Sequence, residues 1–217
     1  MSVCVEISGR YACFTRPELK TERVSYDIIT PSAARGILEA VFWKPAIRYV
    51  IDEIRVCNRI HFENIRRNEV NSKVVGRGHI CAAGDRAQRA STVLKDVRYV
   101  VTAHFEPTDK VGDADKLPDG RFNHGKFAEM LTRRLRIGQQ YHQPCLGTRE
   151  FPAILRLIEA GEALPAAISE DRSLGLMLHD MDYVKGKDGK VTAFTPTYFR
   201  AEMQQGVINL RNVEVLR

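Results

Sequence analysis

Residues 121–143, RFNHGKFAEMLTRRLRIGQQYHQ, concentrate groups that can move protons and neutralise phosphates: two histidines, one lysine and four arginines. Asn123 is a favourable N-cap, so a helix is predicted to begin here with His124, Gly125 and Lys126 in its first turn. The free amides at a helix N-terminus bind anions, and the macrodipole disfavours a cation there unless an anion is close. His124, Gly125 and Lys126 therefore predict a phosphate pocket.

The chemistry that suits this pocket is RNA cleavage without a metal. A histidine transfers protons near neutral pH, an effect of roughly 10²- to 10⁴-fold when the group is well placed. A lysine stabilises the negative charge that develops on a phosphorane. The 2′-hydroxyl of RNA supplies the nucleophile, so the protein only moves protons and neutralises charge. A solvated helix start explains the same residues, and the sequence leaves both interpretations open.

Three arginines, Arg133, Arg134 and Arg136, continue the basic surface towards the end of the same helix. A solvated helix face and direct RNA contact account for them equally well. These arginines therefore extend the candidate surface without deciding its function.

A second pair of arginines, Arg66 and Arg67, lies in the segment ENIRRNEV. Adjacent guanidinium groups bind phosphate oxygens in a bidentate manner, which favours RNA binding. The same two side chains have an alternative in ion pairs with Glu63 and Glu69.

The elements that position these residues follow from hydrophobic periodicity. Thr30 as N-cap, Pro31 at the first helical position and Pro45 as terminator delimit a first helix, and residues 121–143 supply a second. The alternation or short apolar runs of strands occur at residues 3–7, 47–60, 96–106 and 150–161. The predicted order is β-α-β-β-α-β.

This order predicts an α+β fold with an N-terminal ferredoxin-like, RNA-recognition-type domain over residues 1–161. Residues 162–217 predict a small antiparallel β domain, with a hairpin at the turn KGKDGK. Residues 61–95 show little periodicity and predict a long loop that is functional or flexible.

Composition limits the classes of function. The chain has 217 residues, 44% hydrophobic and 28% charged, which is typical of a globular protein, and its net charge of +6 favours a polyanionic partner. No apolar run has membrane-spanning length and the start lacks a signal peptide, which predicts a cytoplasmic protein without membrane contact. Five scattered cysteines predict buried reduced thiols, and the spacing of cysteines and histidines predicts no metal site. No cofactor fingerprint is present.

Five segments taken in this order resemble a known family over nearly the whole chain: ISGRYACFTRPELKTERVSYDIITPSAARGILEAVFWKP, IDEIRV, NIRRNEV, LKDVRYVVTAHFE and LGTREFPA. The sequence resembles the type I-C CRISPR-associated Cas-five family, subtype d (also called c). The resemblance implies a ferredoxin-like domain followed by a smaller β domain, which agrees with the order predicted from periodicity.

The activity implied by the resemblance is metal-independent cleavage of CRISPR precursor RNA in its repeat hairpin, leaving a 5′-hydroxyl and a 2′,3′-cyclic phosphate. The protein would then stay bound to the guide RNA with the other subunits of the type I-C surveillance complex. A non-catalytic RNA-binding subunit of that complex is the alternative. Nonspecific duplex-DNA binding through the net charge is a third hypothesis.

The resemblance also implies site residues. Members of the family have a tyrosine at the end of the first helix, where this chain has Phe42, and a lysine-histidine pair opening the second. Lys126 matches the lysine, but Phe127 follows it, and His124 two residues before is the imidazole available instead. Two further catalytic candidates follow the second helix: Tyr141 and His142. The candidate RNA contacts are Lys44, Arg66, Arg67, Arg133, Arg134, Gly138 and Arg149.

Overall fold

The computed structural model describes residues 2–19, 21–76, 78–185 and 190–217. Its strands are β1 (Ser2–Ala12), β2 (Arg23–Val24), β3 (Ile47–Val56), β4 (Phe62–Val70), β5 (Arg86–Pro107), β6 (Ile154–Ile158), β7 (Arg172–Lys185), β8 (Val191–Met203) and β9 (Val207–Asn209). The α-helices are α1 (Pro31–Val41) and α2 (His124–Arg136).

The central sheet has the strand order β6-β1-β5-β3-β9, and all of these neighbours are antiparallel. Its first four members occupy the positions of the four strands in a βαββαβ unit, which confirms the predicted α+β, ferredoxin-like fold. Alternate residues of β1, Val3, Val5 and Ile7, are buried in one continuous core with the apolar stripes of both helices. The helices therefore cover one face of the sheet.

Both helix starts follow the predicted capping chemistry. The Thr30 hydroxyl accepts a hydrogen bond from the Ala33 amide at 3.2 Å, with Pro31 in the first turn. The Asn123 side chain accepts one from the Lys126 amide at 3.0 Å. Each cap satisfies an amide that has no partner inside its own helix, so both starts are fixed by local sequence.

Residues 61–95 are not the predicted long loop. They form β4 and the first half of β5, paired antiparallel from Phe62 opposite Leu94 to Val70 opposite Arg86. Polar side chains occur on both faces of this hairpin, so the hydrophobic alternation that identifies a half-buried strand is missing. β5 then continues into the central sheet, with one residue of positive φ, Asp96, at +50° between its two halves.

The C-terminal part contains the expected hairpin strands, since β7 and β8 pair antiparallel as a two-stranded sheet. The predicted KGKDGK turn falls largely on residues 186–189, outside the described residues. β9 joins the edge of the central sheet beside β3, and Met177 and Phe199 belong to the same core as β1. A domain boundary after residue 161 stays a prediction.

The backbone at Gly147 predicts a strong effect of substitution. Gly147 has φ +87°, and a Cβ there would overlap the backbone carbonyl of Cys13. Gly138 also has positive φ, +68°, but faces open space. We expect Gly147→Ala to lower the free energy of unfolding by about 3 kcal/mol, because strain and overlap add, and Gly138→Ala by about 1 kcal/mol. Denaturant unfolding measures both, and equal losses would contradict the close approach at Gly147.

Candidate active site

The first turn of α2 presents an exposed imidazole. His124 is the first residue of the helix, and its ring packs edge-on against Phe122 with 4.7 Å between centroids. Its imidazole forms no hydrogen bond with the rest of the described chain. His124 and Gly125 line an open depression of about 490 Å³.

Lys126 is not among the residues that line this depression, and its ammonium binds two local acceptors. Its Nζ donates to the Ala114 carbonyl at 2.7 Å and to Asp115 Oδ1 at 2.8 Å, while 31% of the side chain stays exposed. Asp115 also accepts from the Gly112 amide at 3.3 Å. Asp115, which the sequence analysis did not single out, therefore fixes the position of the lysine.

The same carboxylate connects the two helices electrostatically. The hydrogen bond from Lys126 lowers the pKa of Asp115, and the positive charge of Lys44 lowers it further. Lys44 comes three residues after α1, and Lys126 lies in the first turn of α2. Cations from both regions therefore act on the Asp115 carboxylate. The predicted RNA contact at Lys44 and the predicted catalytic Lys126 thus belong to one charged group.

Phe42 and Phe127 are fully buried. Their ring centroids are 6.5 Å apart, and Phe127 also packs against Phe105 at 6.3 Å and stacks on Phe122 at 5.1 Å. At these positions the family resemblance implied proton-transferring side chains. In this chain both positions belong to an aromatic cluster without access to substrate.

Three consecutive carbonyls at the end of α1 receive hydrogen bonds from other elements. The amides of Tyr141 and His142 donate to Ala40 O at 2.9 and 3.2 Å. The remaining donors are the Arg134 guanidinium, at 2.8 Å from Val41 O, and the Tyr49 hydroxyl, at 2.6 Å from Phe42 O. Burial raises the pKa of Tyr49 far above its ordinary value, so this hydroxyl stays protonated and serves as a donor.

The basic residues of α2 and the loop after it take different roles. Arg134 is engaged in the fold, since its guanidinium also lies 5.1 Å from the Phe42 ring centroid, whereas Arg133 is exposed. Gly138 ends α2 in a left-handed conformation, and its amide donates to Leu135 O. The chain then folds back so that Tyr141, 83% exposed, lies against the end of α1. The catalytic candidates Tyr141 and His142 therefore approach α1 at Ala40, and Lys126 approaches it near Lys44.

Arg66 and Arg67 lie on opposite faces of β4. Arg66 is exposed, and its guanidinium has no hydrogen-bond or ion-pair partner among the residues the structure describes. The partners of Arg67 are Glu150, in a close ion pair, the Ser91 hydroxyl at 2.8 Å and Glu69 at 3.7 Å. Arg67 thus takes the structural alternative, and Arg66 is available to a ligand. Arg149 is exposed next to Glu150.

The sheet face opposite the helices carries charges that are already paired. Glu6 forms ion pairs with Arg98 at 3.0 Å and Arg156 at 2.9 Å. His104 lies 3.0 Å from the buried carboxylate of Asp52. These pairs neutralise the cations of this face, so free positive charge is found on the β4-β5 hairpin and near α1 instead.

Thiols and acidic groups offer no further site. All five cysteines are free; Cys13 is buried, three are partly exposed and Cys81 is exposed, so the prediction of buried thiols is confirmed for Cys13 and wrong for Cys81. No cluster of three His, Cys, Asp or Glu side chains in the described ranges is arranged to hold a metal ion. Neither described helix is long and apolar enough to cross a membrane.

Comparison with known proteins identifies close relatives. Residues 2–211 match the family described as "CRISPR-associated protein (Cas_Cas5)". The chain is 48% identical over 223 residues to the CRISPR pre-crRNA endoribonuclease Cas5d of Mannheimia succiniciproducens, with 95% of this chain and 93% of the relative covered. Identity to the CRISPR pre-crRNA endoribonuclease Cas5d of Thermus thermophilus is 40% over 214 residues, covering 93% and 88%.

Two solved structures share the fold. A CRISPR-associated protein known from a crystal structure superposes with a TM-score of 0.67 at 23% identity, covering 98% of this chain and 92% of that one. The functionally uncharacterized protein SMU1763c from Streptococcus mutans gives a TM-score of 0.66 at 24% identity, covering 98% and 93%. The arrangement of sheet and helices is therefore one that related chains adopt at low sequence identity.

The ion pair between Lys126 and Asp115 predicts a pH-dependent stability difference. Because the folded-state pKa of Asp115 is lowered, the pair stabilises the protein above the ordinary pKa of aspartate and is lost as the pH falls through the lowered value. We expect Asp115→Asn to be less stable than wild type at neutral pH and the difference to shrink on acidification. Urea unfolding across the acidic range measures this.

The matched control for this measurement is Asp113→Asn. Asp113 pairs with Lys116 at 3.0 Å, but its side chain is fully exposed, and such surface pairs contribute little. An Asp115→Asn effect that does not change with pH, or that equals the control, would contradict the role assigned to the pair.

Proposed function

The chain belongs to the Cas5d family of CRISPR-associated proteins, and from this premise we propose that it is an endoribonuclease that cleaves CRISPR precursor RNA in the repeat hairpin without a metal ion. Both curated relatives carry the name CRISPR pre-crRNA endoribonuclease. The observation that supports this activity best is that the exposed His124 side chain and the partly exposed Lys126 side chain both lie in the first turn of α2.

The proposed reaction uses the RNA's own nucleophile. The 2′-hydroxyl attacks the adjacent phosphorus and loses its proton, the bond to the 5′-oxygen breaks, and that oxygen takes up a proton. The products are a 2′,3′-cyclic phosphate and a 5′-hydroxyl. His124 transfers one of these protons, and Lys126 stabilises the charge on the phosphorane. Tyr141 and His142 are the candidates for the second proton transfer.

The exposed cations suggest the course of the RNA. Arg133, Arg149 and Arg66 are exposed, and Lys44 is partly exposed. RNA hairpins are recognised through their shape, phosphates and unpaired bases, which suits scattered exposed cations better than a flat apolar surface. Gly138 and the loop after it connect α2 to the segment that carries Arg149.

A second candidate function is a non-catalytic RNA-binding subunit. Phe42 and Phe127 carry no exchangeable proton and are buried, and the Lys126 ammonium already has two protein acceptors. In either case we propose a cytoplasmic protein that retains the cleaved guide RNA and joins the other subunits of the type I-C surveillance complex.

The proposed mechanism predicts cleavage of repeat RNA in EDTA. A 2′-deoxy substitution at the scissile nucleotide abolishes the reaction, because the nucleophile is gone. Lys126→Ala and His124→Ala each lower the single-turnover rate by about 10²-fold or more while RNA binding is retained. The matched control, Lys116→Ala, removes a lysine from the neighbouring connector and leaves the rate unchanged. End-group analysis identifies the products.

The outcomes separate the two candidate functions. Cleavage that requires magnesium, or that survives the deoxy substitution, contradicts the mechanism. Wild-type protein that binds repeat RNA tightly and never cuts it supports the non-catalytic subunit. If wild type cuts and neither variant slows, the reaction uses other residues.

The two faces of β4 predict opposite effects for neighbouring arginines. Arg66→Ala weakens repeat-RNA binding and reduces the slope of log K against log[salt] by about one, with no loss of stability. Arg67→Ala lowers the free energy of unfolding by about 2 kcal/mol, because the buried Ser91 hydroxyl loses its partner and two glutamates lose their ion pair. Binding titrations at several salt concentrations and denaturant unfolding measure both. Equal affinity for unrelated duplex DNA in competition would favour nonspecific binding.

A further inference from the structure

We propose that Trp43 and Tyr141 form a platform on which unpaired bases of the repeat RNA stack next to the scissile phosphate. The proposal rests on the proposed function, since it names how the substrate is held. Two observations support it independently of the catalytic residues: the exposure of both rings, and the charge of the two segments that carry them.

Trp43 is the single tryptophan of the chain and is 53% exposed, although it directly follows the buried Phe42. The backbone on either side is fixed, because Phe42 O accepts the Tyr49 hydroxyl and Ala46 is buried. A large aromatic ring that stays exposed on a fixed backbone is available to stack on a partner. Trp43 is therefore presented at the surface by the fold around it.

Tyr141 reaches the same place from another part of the chain. Its amide hydrogen bond to Ala40 O, three residues before Trp43, attaches the loop to the end of α1. The Trp43 ring contacts no other aromatic ring in the described chain, and Tyr141 has an edge contact with His142 alone, at 5.8 Å between centroids. Both rings consequently have faces available for stacking.

The charge of the surrounding segments favours RNA as the occupant. Residues 42–48 and 137–149 contain no aspartate or glutamate, and they carry Lys44, Arg48 and Arg149. Aromatic rings interspersed with cations are typical of surfaces that bind unpaired nucleotides, where each ring stacks on a base and the cations follow the backbone. Lys44 adjoins Trp43 directly, so a phosphate and its base have contacts on neighbouring residues.

This inference assigns the ring of Tyr141, rather than its hydroxyl, the decisive contact. Substitutions distinguish the two, because phenylalanine keeps the ring and removes the proton. The same logic applies to Trp43, where phenylalanine keeps an aromatic face and alanine removes it.

The single tryptophan makes the test direct. Repeat RNA with a 2′-deoxy scissile nucleotide is titrated against the full-length protein while Trp43 fluorescence is followed. We expect quenching that saturates with RNA binding, and we expect abasic substitutions at the unpaired nucleotides beside the cleavage site to reduce it. An unrelated RNA duplex of the same length is expected to quench weakly.

Variants measured by an independent binding assay complete the test. Trp43→Ala and Tyr141→Ala are expected to raise the Kd about tenfold or more each, whereas Trp43→Phe and Tyr141→Phe stay within about threefold of wild type. Ile137→Ala is the matched control, since Ile137 is a 68% exposed aliphatic residue on the same loop. Alanine variants that bind RNA no worse than this control overturn the platform.

The remaining outcomes are equally decisive. A Tyr141→Phe variant that binds repeat RNA as weakly as Tyr141→Ala overturns the platform role for Tyr141, because the ring alone is then not the contact that matters. Absence of quenching by an RNA that wild type cleaves overturns the role of Trp43. Quenching by repeat RNA in a protein that never cleaves supports the platform and removes the nuclease, so the two proposals fail separately.

Discussion

The last carbonyl groups of α1 have no partners within their own helix, and the donors that satisfy them come from three distant parts of the chain. The loop after α2 supplies two amides to Ala40, α2 supplies a guanidinium to Val41, and β3 supplies a hydroxyl to Phe42. A helix end buried without such donors would be costly. Satisfying it therefore brings both helices and the following loop together at one point, and the candidate site is built around that point.

The aromatic cluster next to the end of α1 limits which positions could carry an ionisable side chain. An ionisable group at position 42 or 127 would be surrounded by Phe105 and Phe122 and deprived of solvent. Burial raises the pKa of a phenol and lowers that of an imidazole, which would keep both neutral. Phenylalanine at these positions adds to the core and carries no exchangeable proton.

Local sequence rules predicted the parts of the molecule that local interactions fix. Thr30 and Asn123 identified both helix starts, and alternation in residues 3–7 identified the strand that organises the core. The β4-β5 hairpin escaped detection because its pattern is polar on both faces. Once β4 is known to be a strand, the parity of Arg66 and Arg67 alone predicts that one faces solvent and the other the protein.

The contacts that define the site had no comparable signal. Asp115 lies in a Gly- and Asp-rich connector eleven residues before Lys126, and nothing in that spacing distinguishes it from Asp113, which pairs at the surface. The sequence identifies Tyr49 only as a buried strand residue. The structure shows that its hydroxyl donates to the carbonyl of Phe42 at the end of α1. Such contacts depend on how separate elements pack, and the spacing of residues along the chain does not encode them.

The 22 residues of β5 connect the β4-β5 hairpin to the central sheet. The strand begins in the hairpin that carries Arg66 and passes through Asp96, the residue of positive φ. It ends in the sheet, where Phe105 packs against Phe127, the residue that follows Lys126. About 70 Å of extended chain thus runs from the β4-β5 hairpin to the aromatic cluster next to the candidate site. β5 therefore pairs with β4 before Asp96 and with β3, and most of β1, after it, so one strand belongs to both the hairpin and the central sheet.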